Sequence, residues 1–279
     1  ILAGDDDQAI YGWAGADVQR FQEEPAKDIV LPQSYRVPQA VQQIADQILN
    51  RIPDDRRIKK QWAPRPETGN VDHITSIEDA PLHQSDWLIL ARTNDKLIKL
   101  KSVLRDMPIY FEIKGRKSYK TRLYTAIKNY TRWTKGDKLS LSECKDLFEY
   151  LELDQELKEE RMYDLQEFGY KTTDEWYEVF KSDPEECLYI REMLRSGEKL
   201  DNPARVKLST IHAAKGGEAT NVLIILDNTK KIREAIDKSE DKQDEEHRVW
   251  YVGVTRTKQN LYIMTAKQED RGYDIESIT

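Results

Sequence analysis

The sequence predicts an α/β fold: a parallel sheet flanked by helices and interrupted by a mainly helical segment. Three observations predict it. Trp87-Leu88-Ile89-Leu90-Ala91 is a continuous apolar run of the kind that fills a strand buried on both faces. Similar strand signals return at 206–210 and 221–226. Between them, over residues 114–202, strand signals vanish and helical ones dominate.

Taken in order, residues 1–24 form a Gly- and Asp-rich loop and a short amphipathic piece ending near Pro25. Residues 29–31 are expected as a short strand. Pro38 suits a first helical turn, and Val37, Val41, Ile44 and Ile48 repeat at helical spacing up to Pro53. Residues 53–70, rich in Pro and Arg, read as a loop. Asn94 is placed to cap a helix whose apolar side includes Leu97, Leu100 and Leu104, and 109–113 is a further strand. Thr172 with Glu175 suggests a capping box, and Gly197 a helix stop. After the strands at 206–210 and 221–226, the charge-dense stretch 230–244 is expected as a mobile surface loop. A helix over 245–254 and a strand over 261–265 complete the chain.

Composition narrows the setting. With 38% hydrophobic and 34% charged residues, the chain can bury a core beneath a heavily solvated surface. A formal charge of -7 is not the overall signature of a nucleic-acid binder, but local patches decide that. Cys144 and Cys187 lack metal-ligand spacing and make no disulfide framework, which suggests a reducing compartment. No signal peptide opens the chain, and no apolar run approaches the roughly 18 residues that span a bilayer. A soluble, cytoplasmic protein is expected. The opening Ile1-Leu2-Ala3-Gly4 has no initiator Met and reads as a strand end, so the chain is expected to be a fragment.

Four segments carry chemistry. In Gly4-Asp5-Asp6-Asp7-Gln8-Ala9-Ile10-Tyr11-Gly12-Trp13-Ala14, the Gln8 amide can bond a terminal phosphate oxygen or a water, and Tyr11 and Trp13 offer rings for stacking a base. In Leu31-Pro32-Gln33-Ser34-Tyr35-Arg36, a ring beside a guanidinium suits a nucleotide, base on the ring and phosphate on the Arg. Val206 to Glu218 runs from a strand into Thr210, His212 and a Gly pair, as in the ligand loops of open α/β sheets. Glu245 to Arg256 is a helix ending in an arginine that can neutralise charge on a transferred phosphoryl group. Each segment alone also fits an ordinary structural role: an acidic turn, a solvated Arg, a core His, a surface ion pair.

Together and in this order they resemble motifs III, IV, V and VI of the UvrD-like superfamily 1 DNA helicases. Arg92-Thr93-Asn94 resembles the intermediate motif IVa, and Met107 through Gly115 resembles the approach to that family's inserted 2B domain. The resemblance implies a RecA-like second motor domain (2A) over 25–113 and 203–279. It also implies a 2B-like helical insert over 114–202, and the tail of a missing first RecA-like domain over 1–24. It implies that Gln8 senses the γ-phosphate, that Arg36 and Arg256 contact it, and that Tyr35 stacks on adenine. Gly216 and Glu218 would lie near the phosphates and ribose. Tyr11, Trp13, Thr93, Asn94, Thr210 and His212 would touch DNA. ATP and Mg²⁺ are the implied cofactors of the intact protein. Single-stranded DNA, duplex junctions and the amino-terminal RecA-like domain are its implied partners, in a bacterial or phage monomer travelling 3′ to 5′. Ala14 stands where the family often has Arg, Ser34 where Asn is frequent, and Gly217 where Leu is frequent.

The sequence contains no G-x-x-x-x-G-K-[ST] loop and no Asp-Glu pair after an apolar strand, so no Mg²⁺ ligands and little ATP turnover are expected of this chain alone. Asp227, after an apolar strand, imitates a magnesium-site aspartate but is followed by Asn228. In the insert, Lys114, Arg116, Lys117, Lys120, Arg122, Lys128, Arg132, Lys135 and Lys138 interleave with Tyr119, Tyr124, Tyr130 and Trp133. That texture fits a DNA-tracking surface, or equally a basic helix paired with the acid-rich stretch 143–192. Two functional classes follow: a motor enzyme, or a non-catalytic DNA- or protein-binding module built on a helicase scaffold.

Overall fold

The apolar runs become neighbouring parallel strands. The structure is a computed structural model that describes residues 3–15, 20, 23, 29–153, 157, 160–266 and 272–275, with only the backbone of Trp13. The chain divides into two compact units, Ile1–Val103 with Arg205–Thr279, and Leu104–Ala204. In chain order the first unit begins with β1 (Gln33–Pro38), α1 (Gln39–Leu49), β2 (Ala63–Arg65), β3 (Asn70–Ile74) and β4 (Trp87–Ala91). The division falls within α2 (Asn94–Asp106). The second unit holds β5 (Phe111–Ile113), β6 (Arg116–Lys117), α3 (Thr121–Thr134), α4 (Leu141–Leu151), α5 (Trp176–Val179) and α6 (Pro184–Arg195). The first unit resumes with β7 (Val206–Thr210), β8 (Ala219–Ile225), α7 (Lys230–Ile236), α8 (Glu240–Val254) and β9 (Thr257–Met264).

Within the first unit the strands lie in the order β3-β9-β8-β4-β7, all parallel, and β1 pairs with β2 in a separate parallel pair. The sheet register sets the geography of the site. Ala91 lies beside Thr210 and Ile225, so 92–94, 211–212 and 226–228 emerge together at the carboxyl ends. Ala219 lies beside Thr257, so Glu218 and Arg256 enter together at the amino ends. This mostly parallel sheet with its helices fits a RecA-like fold. Among the described residues no helix is long and apolar enough to cross a membrane.

Helix α8 is the buried spine of this unit. Val249, Trp250, Val252 and Val254 are all fully buried against β8, β9 and α1. Gly253 allows the close approach: a Cβ there would stand 2.7 Å from Ile224 Cδ1. His247 is locked beside it, its Nδ1 2.7 Å from the Tyr273 hydroxyl. Burial, with Arg51 and Arg248 nearby, pushes its pKa down to about 4. A histidine held neutral while the unfolded chain takes up a proton stabilises fully above its unfolded pKa, and that stability drains as pH falls toward the folded one. Lowering the pH from 7 to 5 is therefore expected to cost about 2 kcal/mol at this residue. Urea midpoints at the two pH values would read it, and His247→Gln should remove most of the difference.

Several elements differ from the sequence reading. Residues 29–31 form no strand; Ile29 and Leu31 are both 81% exposed, and pairing starts only at Gln33. Residues 53–70 include β2. The last two strands begin earlier than read, at Ala219 and Thr257. Asn94 is the first residue of α2. Residues 230–236 and 240–244 are helical rather than a loop, because the Thr229 and Ser239 side chains cap α7 and the start of α8. Thr172 and Glu175 form no capping box; among the described residues the boxes are Ser76 with Asp79, Ser140 with Glu143 and Asp164 with Glu167.

In the second unit, β5 and β6 form a hairpin whose turn residues, Lys114 and Gly115, both have positive φ, as a type I′ turn requires. Tyr119, Tyr124, Tyr130 and Trp133 are buried in its core rather than displayed for bases. Arg122 pairs with Glu149, Arg132 with Glu143 and Lys120 with Asp183. The basic helix thus meets the acid-rich stretch, and of the two readings of this texture the paired one describes these residues.

Candidate functional site

The first site segment is shaped by its aspartates. Asp5 caps the short 3-10 turn Asp6–Gln8, and its Oδ2 accepts a hydrogen bond from Gln8 Nε2 at 2.6 Å. The Gln8 carbonyl accepts from Lys215 Nζ at 2.8 Å, and farther along the Tyr11 hydroxyl donates to the His212 carbonyl at 2.7 Å. Residues 8–11 therefore run alongside 212–215, the segment that crosses from the carboxyl end of β7 to the amino end of β8. Gly216 turns this segment with φ 89°, and a Cβ there would meet open space.

At the amino ends of β8 and β9 two arginines converge. Arg256, 1% exposed, donates from Nε to the Val252 carbonyl at 2.9 Å, while its Nη2 reaches Gln8 Oε1 only at 3.5 Å. Arg36, inward-facing on β1, lies 3.9 Å from Glu218, and its buried Nε has no hydrogen-bond partner. Glu218 is shared with Lys258 at 3.3 Å. Among the described residues no carboxylate forms an ion pair with Arg256. Burial first, then the neighbouring Arg36, pulls its pKa down to about 10. Burial likewise lowers that of Arg36. Two desolvated like charges with one distant carboxylate between them make a site that favours an anion. Tyr35, the next residue on β1, is 89% exposed.

The residues read as nucleic-acid contacts lie elsewhere. Thr93, Asn94, Thr210 and His212 gather at the carboxyl ends of β4 and β7, away from Arg256 at the amino ends of β8 and β9. Thr93 Oγ1 is buried without a hydrogen-bond partner, Asn94 is exposed, and Thr210 Oγ1 accepts from Ala213 N. Burial, then Arg92, lowers the pKa of His212 and keeps its ring neutral at pH 7. Tyr11 packs edge-on against His212 and under Lys215 Nζ, so its ring is engaged within the chain. The Trp13 side chain lies outside the described residues.

A family model for the UvrD-like helicase C-terminal domain matches residues 117–268, more than half of the chain. The chain belongs to this family. It is also similar to the ATP-dependent DNA helicase PcrA of Staphylococcus epidermidis, 27% identical over 153 residues that cover 47% of this chain and 21% of that protein. The corresponding helicase of Leuconostoc citreum is 29% identical over 148 residues, 43% of this chain and 19% of that protein. That of Staphylococcus aureus is 26% identical over 154 residues, 47% of this chain and 21% of that protein. The chain thus matches about a fifth of the length of these relatives.

Motif spacing did not single out several residues around this UvrD-like site. Lys215 and Lys258 supply cations beside Gln8 and Glu218. Glu246, buried in α8, accepts from Arg92 at 3.0 Å and from Trp250 Nε1 at 2.8 Å, tying the helix to the carboxyl-end loops. Asp5, Asp6 and Asp7 are close enough together to resemble a metal site, but the Lys60 ammonium forms ion pairs with all three. Asp227 pairs with Lys96 at 3.2 Å. Within the quoted motifs, Lys215 and Glu246 were readable as charged positions; Lys60, distant in sequence, was not.

Proposed function

We propose that this chain is the carboxy-terminal part of an ATP-dependent DNA helicase or translocase, moving 3′ to 5′ on single-stranded DNA. The carrying observation is the convergence of a buried Arg256 with a half-buried Arg36, whose own Nε is buried without a partner, and one remote carboxylate between them. A triphosphate terminus fits that cradle: it supplies the missing negative charge and accepts from the orphaned Arg36 Nε. Arg36 and Arg256 are assigned to the γ-phosphate, Gln8 to sensing it, Tyr35 to stacking on adenine, and Gly216 and Glu218 to the surroundings of the phosphates and ribose. ATP with Mg²⁺ brings the reactive phosphoanhydride. The phosphate-binding loop and metal ligands are assigned to an amino-terminal RecA-like domain, and turnover to the full-length protein. Residues 114–202 are assigned as the family's 2B-like insert, between parts of the 2A domain at 25–113 and 203–279.

Thr93, Asn94, Thr210 and His212, with Tyr11 and Trp13, are assigned to the DNA strand. Helix α8 supports coupling between the two sites. Glu246, midway along it, holds Arg92, and Arg256 follows its carboxyl end, which lies about 12 Å farther along the axis at 1.5 Å per residue. The experiment is ATP hydrolysis by the full-length protein with and without single-stranded DNA. DNA is expected to stimulate turnover. Tyr35→Ala should raise KM for ATP about tenfold, the size of one lost stacking contact, with kcat changed less than about twofold. Tyr35→Phe should behave as wild type. Absence of DNA stimulation contradicts the motor assignment.

A further inference from the structure

Lys60 lies in the loop after α1, far from Gln8 in sequence, yet one relay joins them. Its Nζ meets Asp5 Oδ1 at 2.6 Å and Asp7 Oδ2 at 3.0 Å, and also bonds Asp6. Asp6 and Asp7 have other support, from the Ile58 backbone N–H and from Arg57. Asp5 has a further duty: its second oxygen holds Gln8 Nε2 at 2.6 Å. With the amide nitrogen engaged there, the opposite atom, Oε1, is the one that faces Arg256.

We infer that Lys60 is a positioning residue which, through Asp5, fixes the Gln8 amide with its oxygen toward the Arg36–Arg256 cradle. Gln8 then serves the site as an acceptor. The guanidiniums supply donors for phosphate oxygens, and the Glu218 carboxylate is shared between Arg36 and Lys258, so the Gln8 oxygen is the acceptor left to orient an attacking water through its proton. Burial disfavours the Lys60 ammonium, but the hydrogen bonds it donates to Asp5 and Asp6 outweigh it and push its pKa up to about 12, so the relay keeps its charge across the working pH range.

The inference rests on the proposed ATP site, and the test separates the two. Single-strand-stimulated ATPase is measured on the full-length protein for Gln8→Ala, Asp5→Asn, Lys60→Met and Lys60→Arg, with urea midpoints alongside. Asp5→Asn leaves Lys60 paired with Asp6 and Asp7, so its fold should persist even where Lys60→Met is destabilised. A freed amide costs orientation rather than binding. Asp5→Asn should therefore lower kcat about tenfold with KM for ATP within about twofold. Lys60→Met should do the same, and Lys60→Arg should restore most of the rate. Wild-type kcat in Asp5→Asn beside a slow Gln8→Ala overturns the positioning role and leaves the site assignment standing. A raised KM with unchanged kcat in Asp5→Asn also overturns it. Wild-type kcat in Gln8→Ala removes the acceptor role and the relay's purpose together.

Discussion

Arg256→Ala in the full-length protein is expected to lower DNA-stimulated kcat about a thousandfold or more, the scale of losing an arginine that neutralises phosphoryl charge. The same substitution should not lower stability. The guanidinium is 1% exposed and its folded pKa, about 10, lies below the ordinary value of 12.5. A base with a depressed folded pKa is a net burden on the fold whenever it carries its proton, and the burden lifts only as pH rises past that folded value. Removing the charge at neutral pH should leave the urea midpoint unchanged or raised. Loss of rate without loss of stability is the signature of a group kept for chemistry at the expense of the fold. Arg256→Lys should recover little, since a point charge lacks the planar fork that grips a phosphate. A parallel fall of rate and midpoint would instead mark Arg256 as structural.

Trp250→Ala should be the most destabilising single change in α8. The ring is fully buried, stacks on Tyr273 with centroids 5.0 Å apart, and donates to Glu246 at 2.8 Å. Truncation opens a large cavity and removes one of the partners of a buried carboxylate, a loss of about 4 kcal/mol. Trp250→Phe keeps much of the packing and should lose about half as much. Chemical denaturation of the two variants reads the difference; equal losses would place the energy in the hydrogen bond rather than the ring.

The sheet was legible where burial was continuous, as in Trp87–Ala91, or alternated along the strand, as at Val206 and Leu208. Trp87–Ala91 and Val206–Thr210 are apolar enough at their buried positions to announce strands, and the structure places them side by side. The first strand was misplaced for the same reason in reverse. Ile29 and Leu31 look like a core strand but face solvent, whereas Gln33–Pro38, polar and half-exposed, pairs with β2. Charge density hid α7, because a solvated helix and a solvated loop share a composition and only the Thr229 cap tells them apart. In the second unit the interleaved rings suggested display, but a two-faced helix puts rings inward and bases outward, and that is the arrangement found.

For the candidate site, motif order pointed to Gln8, Arg36 and Arg256, and the fold brings Gln8 within 3.5 Å of Arg256. What spacing could not supply was division of labour along the sheet. The same motif segment carries His212 to the carboxyl ends and Glu218 to the amino ends, because it crosses the sheet between β7 and β8. Nor could spacing find Lys60, whose link to Asp5 is a long-range ion pair with no local signal.

The most direct measurement is a structure of the full-length protein with single-stranded DNA and a non-hydrolysable ATP analogue. Guanidinium nitrogens of both Arg36 and Arg256 are expected within about 3 Å of terminal phosphate oxygens, the distance of charge-assisted hydrogen bonds. A terminal phosphate bound well away from either arginine, with Arg36 closed onto Glu218 instead, would contradict the account.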